Sequence, residues 1–346
     1  MRPSRLKRLL AGEAMKRALV TGITGQDGSY LTESLLAAGY EVHGLTRDPA
    51  GAKAAALQDL PGVRPHADRL ALHGADATDG AAVSRLVGEV APQQIYNLAA
   101  QSHIGESFKS PAGTVAANAL AVANLLEAAR SLSERQEVRF YQASSSELFG
   151  SPDVVPQTER TPLRPQNPYA SAKTCAYHLV RNYRDGYGLF ACNGILFNHE
   201  SPRRPPNYVT RKITLAAARI AAGRQETVTL GWLGAARDWG YAKEYVEAMR
   251  LMLSADAPDD YVIATGVAHT IEDLLAAAFD RVGLDWRQHV KTDPAFERPT
   301  EVKNLRGDPS KVERALGWRA ETTFEELVRL MVDADVKRVA AERNAS

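Results

Sequence analysis

The first strongly apolar run, Arg17-Ala18-Leu19-Val20-Thr21, stops at Gly22-Ile23-Thr24-Gly25-Gln26-Asp27-Gly28. Beyond it Tyr30, Leu31, Leu35 and Leu36 recur at helical spacing as far as Gly39. Apolar positions three and four apart make one face of a helix, whereas a short unbroken apolar run bounded by glycines reads as a buried strand. The alternation then continues. Residues 41–45, 70–73, 94–98, 138–142 and 189–196 read as strands; residues 81–90, 115–131 and the stretch from Tyr169 onward read as helices. Strands alternating with helices predict an α/β fold built on a doubly wound parallel sheet of Rossmann type, with right-handed crossovers.

Near Asn198 the pattern changes. Pro202, Pro205 and Pro206 interrupt a polar, arginine-containing stretch, and the segments that follow are shorter. Residues 213–222, 271–282, 311–316 and 324–341 read as helices, residues 261–264 as a strand, and Arg237-Asp238-Trp239-Gly240 as a turn. No linker is long enough to separate independent domains. We therefore expect a dinucleotide-binding domain over residues 15–197 and a smaller C-terminal α/β substrate lobe over residues 198–346, interleaved with it across the sheet's C-terminal edge. Met15 stands directly before the first strand, so residues 1–14 are expected to be a disordered extension or the product of an upstream start codon.

Composition narrows the classes without choosing among them. The chain has 346 residues, a formal net charge of +1 and an ordinary apolar fraction, which gives no reason to expect nucleic acid as a partner. No run approaches the ~20 consecutive apolar residues of a membrane span, and residues 1–14 lack the apolar stretch of a signal peptide. A cytoplasmic protein without a membrane partner is expected. Cys175 and Cys192 are not in a CxxC arrangement, so neither a disulfide scaffold nor a metal site is suggested; both are expected to be reduced core thiols.

Candidate chemistry sits where these elements end. Strand, glycine turn and helix in that order let a backbone approach a pyrophosphate, which then rests on the helix N-terminus. Here the spacing is GxxGxxG, at Gly22, Gly25 and Gly28. After the second strand Arg47 suits the 2′-phosphate of NADP, where NAD sites place an acid; Asp48 beside it weakens that reading, and a solvated loop arginine competes with it. Ala99-Ala100-Gln101-Ser102-His103 and Ala143-Ser144-Ser145-Ser146-Glu147 follow further strands. Tyr169 and Lys173 are four apart and share one helix face. A fixed ammonium beside a phenol lowers its pKa and would make it a base. Alone that spacing recurs by chance on amphipathic helices; after a glycine turn, with Ser145 and Glu147 nearby, it suggests a proton relay beside a nicotinamide.

Together these segments resemble the GDP-mannose 4,6-dehydratase family of the extended short-chain dehydrogenase/reductase superfamily. The likeness is dense in residues 22–30, 96–103 and 193–204, and continues through Val209-Thr210-Arg211-Lys212-Ile213-Thr214, Arg237-Asp238-Trp239-Gly240 and Arg298-Pro299-Thr300-Glu301-Val302. The resemblance implies that Gly22, Gly25, Gln26, Asp27 and Gly28 surround the NADP pyrophosphate, with Arg47 on the 2′-phosphate. It puts Asp76 and Ala77 near the adenine and Leu98, Ala99, Ala100, Gln101 and Ser102 along the cofactor. Tyr169, Lys173, His199 and Arg204 complete that set. Asn198, Val209, Lys212, Arg237, Arg298 and Glu301 would hold GDP-mannose, with Ser102, Ser145 and Glu147 at the sugar.

The same resemblance implies catalysis by Ser145, Glu147, Tyr169 and Lys173. The 4-hydroxyl is oxidised, water leaves across carbons 5 and 6, and the cofactor ends as it began. A related enzyme of this fold, a GDP-heptose 4,6-dehydratase or a GDP-4-keto-6-deoxymannose reductase, is the alternative; a non-catalytic NADP-binding scaffold is a third reading. Departures from the family pattern are Ser145 for a threonine, Trp232 for an asparagine, Gly113 for a tyrosine, and Pro49-Ala50-Gly51-Ala52 in place of a loop that joins dimers into tetramers. A homodimer is expected, and that replaced loop argues against the alternative homotetramer.

Overall fold

Arg17–Thr21 (β1), Glu41–Thr46 (β2), Leu70–Gly74 (β3), Gln94–Asn97 (β4), Arg139–Ala143 (β5), Phe190–Leu196 (β6) and Tyr261–Ile263 (β7) form one sheet in the computed structural model, which describes residues 15–296, 302 and 304–344. All neighbouring pairs are parallel, in the order β7-β6-β5-β4-β1-β2-β3. The chain winds outward from β1 to β3, then returns to β4 on the other side of β1. The crevice between the ends of β1 and β4 is therefore a topological switch point, where open parallel sheets bind ligands.

A sheet covered on both faces needs apolar residues at successive strand positions. Leu19, Ile95, Phe140 and Ala191 bury one face; Val20, Tyr96, Tyr141 and Cys192 bury the other. The helices that cover these faces are Gln26–Ala37 (α1), Gly80–Val90 (α2), Ala121–Ser133 (α3), Pro168–Tyr187 (α4) and, after Val209–Ala221 (α5) of the small lobe, Ala242–Ser254 (α6); Ile271–Asp280 (α7) and Phe324–Asn344 (α8) join α5 in that lobe. Leu86 and Val87 of α2, Leu125 and Leu126 of α3 and Val180 of α4 pack on the first face; Leu31 and Leu35 of α1 and Met249 and Met252 of α6 pack on the second. Both α6 and β7 come from the second half of the chain. The small lobe has its own core, from Ile213, Trp239, Leu274, Phe279, Leu327 and Met331.

Three sequence expectations change, and one element is added to them. The helix expected at 115–131 starts earlier: Pro111–Val115, a π-turn at Ala116–Leu120 and α3 run together. By length and composition Pro111–Ser133 could cross a membrane, but 50% of that window is buried in the protein; a core helix passes the same test. The turn expected at 237–240 is two short strands, Ala236–Arg237 and Trp239–Tyr241, the second pairing with Asn198–Glu200. Between them the buried Asp238 carboxylate accepts hydrogen bonds from Thr265, Gly266 and Gly307. A residue typical of turns here pins two loops instead. Ala52–Gln58 forms a short helix that the apolar pattern did not predict. Finally, Cys192 is a core thiol, pushed up to about 12 by burial, but Cys175 of α4 is exposed.

One partly buried pair makes stability depend on pH. His43 of β2 and His73 of β3 stack, with Nδ1 2.9 Å from the other's Nε2. Burial lowers both pKa values, and their mutual repulsion lowers that of His43 further, against the opposing pull of Glu41. A histidine depressed in the folded state contributes stability above its unfolded pKa of about 6.5 and loses it as pH falls through the folded value. Urea midpoints are expected to drop between pH 7.5 and 5, and His73→Gln to flatten that slope; an unchanged slope would show the pair is not its source.

Candidate active site

β1 delivers the chain to the switch-point crevice with no room for a side chain. Gly22 has φ +66°, and a Cβ there would lie 2.8 Å from the Ala99 nitrogen. A Cβ on Gly28 would lie 2.3 Å from the Gly22 oxygen. Only glycine fits either place. Gly25 is the N-cap of α1 and offers no side-chain cap, so the first-turn N–H groups remain open to an anion. Thr21 Oγ1 accepts hydrogen bonds from Leu98 N and Ala99 N at 3.2 and 3.1 Å, holding the loop after β4 against the turn. Asn118 fixes the same loop, accepting from Gln101 N at 3.1 Å and donating to Gln101 O at 2.9 Å. It lies in the π-turn, a deviation frequent at functional sites.

At the neighbouring strand ends Arg47 is exposed. The Asp48 carboxylate lies against Gly51. Hydrogen bonds from Thr78 at 2.9 and 2.8 Å, reinforced by Arg47, hold the Asp76 carboxyl below its usual range. Ala77 is buried behind it.

Tyr169 and Lys173 are placed by an N-cap. Asn167 accepts from Ala170 N at 2.8 Å and Pro168 follows at the first helical position, a strong start signal for α4. Both functional side chains point inward, Tyr169 8% and Lys173 3% exposed. Ser145, beyond the end of β5, hydrogen-bonds Tyr169 and accepts from Glu147 N at 3.2 Å. Glu147 is buried, and Asn167 Nδ2 donates to its Oε2 at 3.2 Å. Asn167 therefore starts α4 and aims the Glu147 carboxylate. Sequence reasoning missed it, although Asn-Pro before an apolar helical face was the available signal.

The expected lowering of the Tyr169 pKa by Lys173 is not what the protein shows. Burial pushes the Tyr169 phenol well above a free tyrosine, the Ser145 hydrogen bond offsets part of that, and Glu147 adds to the rise. Lys173 donates instead to Ala143 O at 2.8 Å, its Nζ 5.9 Å from the Tyr169 ring centre. Burial lowers it to about 8, with Asp27 opposing. Desolvation outweighs the pairing that sequence alone suggested.

The stretch after β6 clasps α1. His199 Nε2 lies 2.8 Å from Asp27 Oδ2, and Nδ1 lies 2.7 Å from Phe197 O. Burial opposes charging both groups, yet their attraction raises the His199 pKa and lowers that of Asp27. Ser201 donates to Gln26 at 2.8 Å; Arg203 bridges Ser29 and Glu33 at 3.0 and 2.8 Å. Arg204 pairs with Glu200 at 3.1 Å. Behind them the buried Arg211 binds Asp335 of α8, its Nε 2.9 Å from Oδ2, and donates to Pro202 O and Arg204 O. The motif was legible, but this use of Arg211 was not, because Asp335 is far off in sequence.

Of the expected substrate residues, Asn198 starts the strand after β6 and Val209 opens α5. Lys212 Nζ donates to Thr229 O at 2.6 Å, and the buried Arg237 donates to Ala236 O at 2.9 Å. Arg298 and Glu301 lie outside the described residues. Trp232 is 45% exposed on the loop after Val228–Leu230, and Gly113 lies beside Ser110.

Comparison with known proteins bears directly on this arrangement. A family model described as GDP-mannose 4,6 dehydratase matches residues 19–331. The chain is 50% identical over 336 residues to GDP-mannose 4,6 dehydratase 2 of Arabidopsis thaliana, covering 96% of this chain and 90% of that one. It is 44% identical over 353 residues to the human GDP-mannose 4,6 dehydratase, covering 96% and 95%. A solved dTDP-glucose 4,6-dehydratase from Streptomyces venezuelae, with NAD bound, superposes with a TM-score of 0.81 at 26% identity, covering 94% and 98%.

Proposed function

The chain belongs to the GDP-mannose 4,6 dehydratase family, and from that premise we infer that it converts GDP-α-D-mannose to GDP-4-dehydro-6-deoxy-α-D-mannose and water, with NADP as its resident cofactor. The glycine cradle, the uncapped start of α1 and the exposed Arg47 fit a dinucleotide carrying a 2′-phosphate. When bound, NADP supplies reversible hydride exchange with the hexose.

The protein's own groups supply binding and proton transfers. Tyr169 takes the proton of the 4-hydroxyl. Burial keeps its phenol protonated in the free protein, so the proton leaves only when a cation offsets desolvation, and Lys173 is the nearby candidate. Ser145, hydrogen-bonded to that phenol, holds the 4-oxygen as it becomes a ketone. The ketone acidifies the proton on carbon 5, which Glu147 removes while the 6-hydroxyl departs as water. Glu147 passes that proton to the departing 6-hydroxyl, and the proton held by Tyr169 returns to carbon 5, so both groups end as they began. Asn198, Lys212 and Arg237 are assigned to the GDP moiety, together with Arg298 and Glu301; Arg suits diphosphate and a carboxylate suits ribose hydroxyls. The protein is proposed to act in the cytoplasm as a homodimer, a reading the exposed Val115 and Leu120 on the 111–133 helix support.

The buried Glu147 beside Tyr169, aimed by Asn167, carries this reading. A reductase or epimerase needs the tyrosine and the lysine but no second base. Protein incubated with NADP and GDP-mannose is expected to yield a nucleotide sugar lighter by one water, with no net change in cofactor redox state. Stoichiometric consumption of NADPH would indicate a reductase instead.

A further inference from the structure

Tyr208 has no role in the scheme above. It is the N-cap residue of α5, but its side chain caps nothing. Its ring lies on the Arg204 guanidinium, 3.8 Å from carbon to ring centre, and edge-on to His103 at 6.2 Å. Its hydroxyl meets Ser102 Oγ at 2.6 Å. Ser102 belongs to the loop after β4 and is exposed, so this bond joins the two walls of the crevice. Tyr208 is also among the groups whose charge acts on Tyr169, which places it near the reacting end of the site.

The chemistry of this corner is that of a polyol site. Arg204 is paired with Glu200 at 3.1 Å and covered by the Tyr208 ring, which shields its charge on the side where Tyr208 and Ser102 meet. What faces the crevice is a pair of neutral hydroxyls, each able to donate and accept. We propose that Tyr208 is a positioning residue for the hexose: Tyr208 and Ser102 exchange their mutual hydrogen bond for hydrogen bonds to sugar hydroxyls, fixing the ring against Tyr169 without helping to hold the nucleotide. This inference rests on the dehydratase reading above.

Tyr208→Phe keeps the ring on Arg204 and removes only the hydroxyl. In NADP-loaded protein kcat/KM for GDP-mannose is expected to fall about fivefold, the loss typical of one neutral hydrogen bond. The dissociation constant of GDP, which lacks the sugar, should stay unchanged by calorimetry. Ser102→Ala should move the same two readouts in the same directions, and it carries the test if Tyr208→Phe does not fold. An equal loss of GDP affinity would overturn the proposal in favour of a nucleotide or purely structural role. A lower KM would overturn it too, showing the bond to be a latch that substrate must break. If the unmodified protein forms no dehydrated product, the dehydratase reading fails; if it does and Tyr208→Phe matches it, only the clamp fails.

Discussion

Tyr169→Phe is expected to lose about 10³-fold or more in turnover of GDP-mannose, because it removes the group that takes the first proton. The ring is 8% exposed and its hydroxyl is hydrogen-bonded by Ser145, so phenylalanine fills the same space and the fold should survive. Cofactor retention and the thermal midpoint should be close to those of the unmodified protein. No early step can proceed in this variant, so no transient near-ultraviolet absorbance of reduced cofactor should appear on mixing with substrate. Near-normal turnover would show that another group accepts the proton.

Glu147→Gln is expected to lose a similar factor, about 10³-fold, but to stop at a different point. Glutamine preserves size and can still accept a hydrogen bond from Asn167, whose Nδ2 lies 3.2 Å from the carboxylate. Tyr169 remains intact, so oxidation at carbon 4 should proceed and water loss should not. Reduced-cofactor absorbance should therefore accumulate to a plateau instead of passing through a transient. The contrast with Tyr169→Phe separates the two bases by where each acts. If Glu147→Gln behaved like Tyr169→Phe, the carboxylate would be needed for the first step and its assignment to carbon 5 would be wrong.

Much of this site was legible from the chain itself. The apolar run of β1, the glycines after it and the spaced leucines of α1 are local signals, and their local conformation follows from excluded volume. The Tyr169–Lys173 face was legible for the same reason. Readings failed where tertiary contacts decided the outcome. Asp238 sits in a stretch with turn composition, yet its carboxylate is consumed by loops that arrive from residues 265–266 and 307. The 2.6 Å bond from Tyr208 to Ser102 and the bonds from Asn118 to Gln101 join residues far apart in sequence. The charge balance at Tyr169 was misjudged because spacing shows which groups are neighbours, whereas burial, the larger effect here, depends on everything packed around them.

The central claim is that one hydride leaves carbon 4 and returns to carbon 6 of the same sugar while Glu147 and Tyr169 move the protons. GDP-mannose carrying deuterium at carbon 4 tests it most directly. With protein and unlabelled NADP, mass spectrometry and NMR of the product should find deuterium at carbon 6, one water lost and no deuterium in the released cofactor. A dehydrated product with carbon 6 unlabelled, or deuterium recovered in the cofactor, would contradict the account.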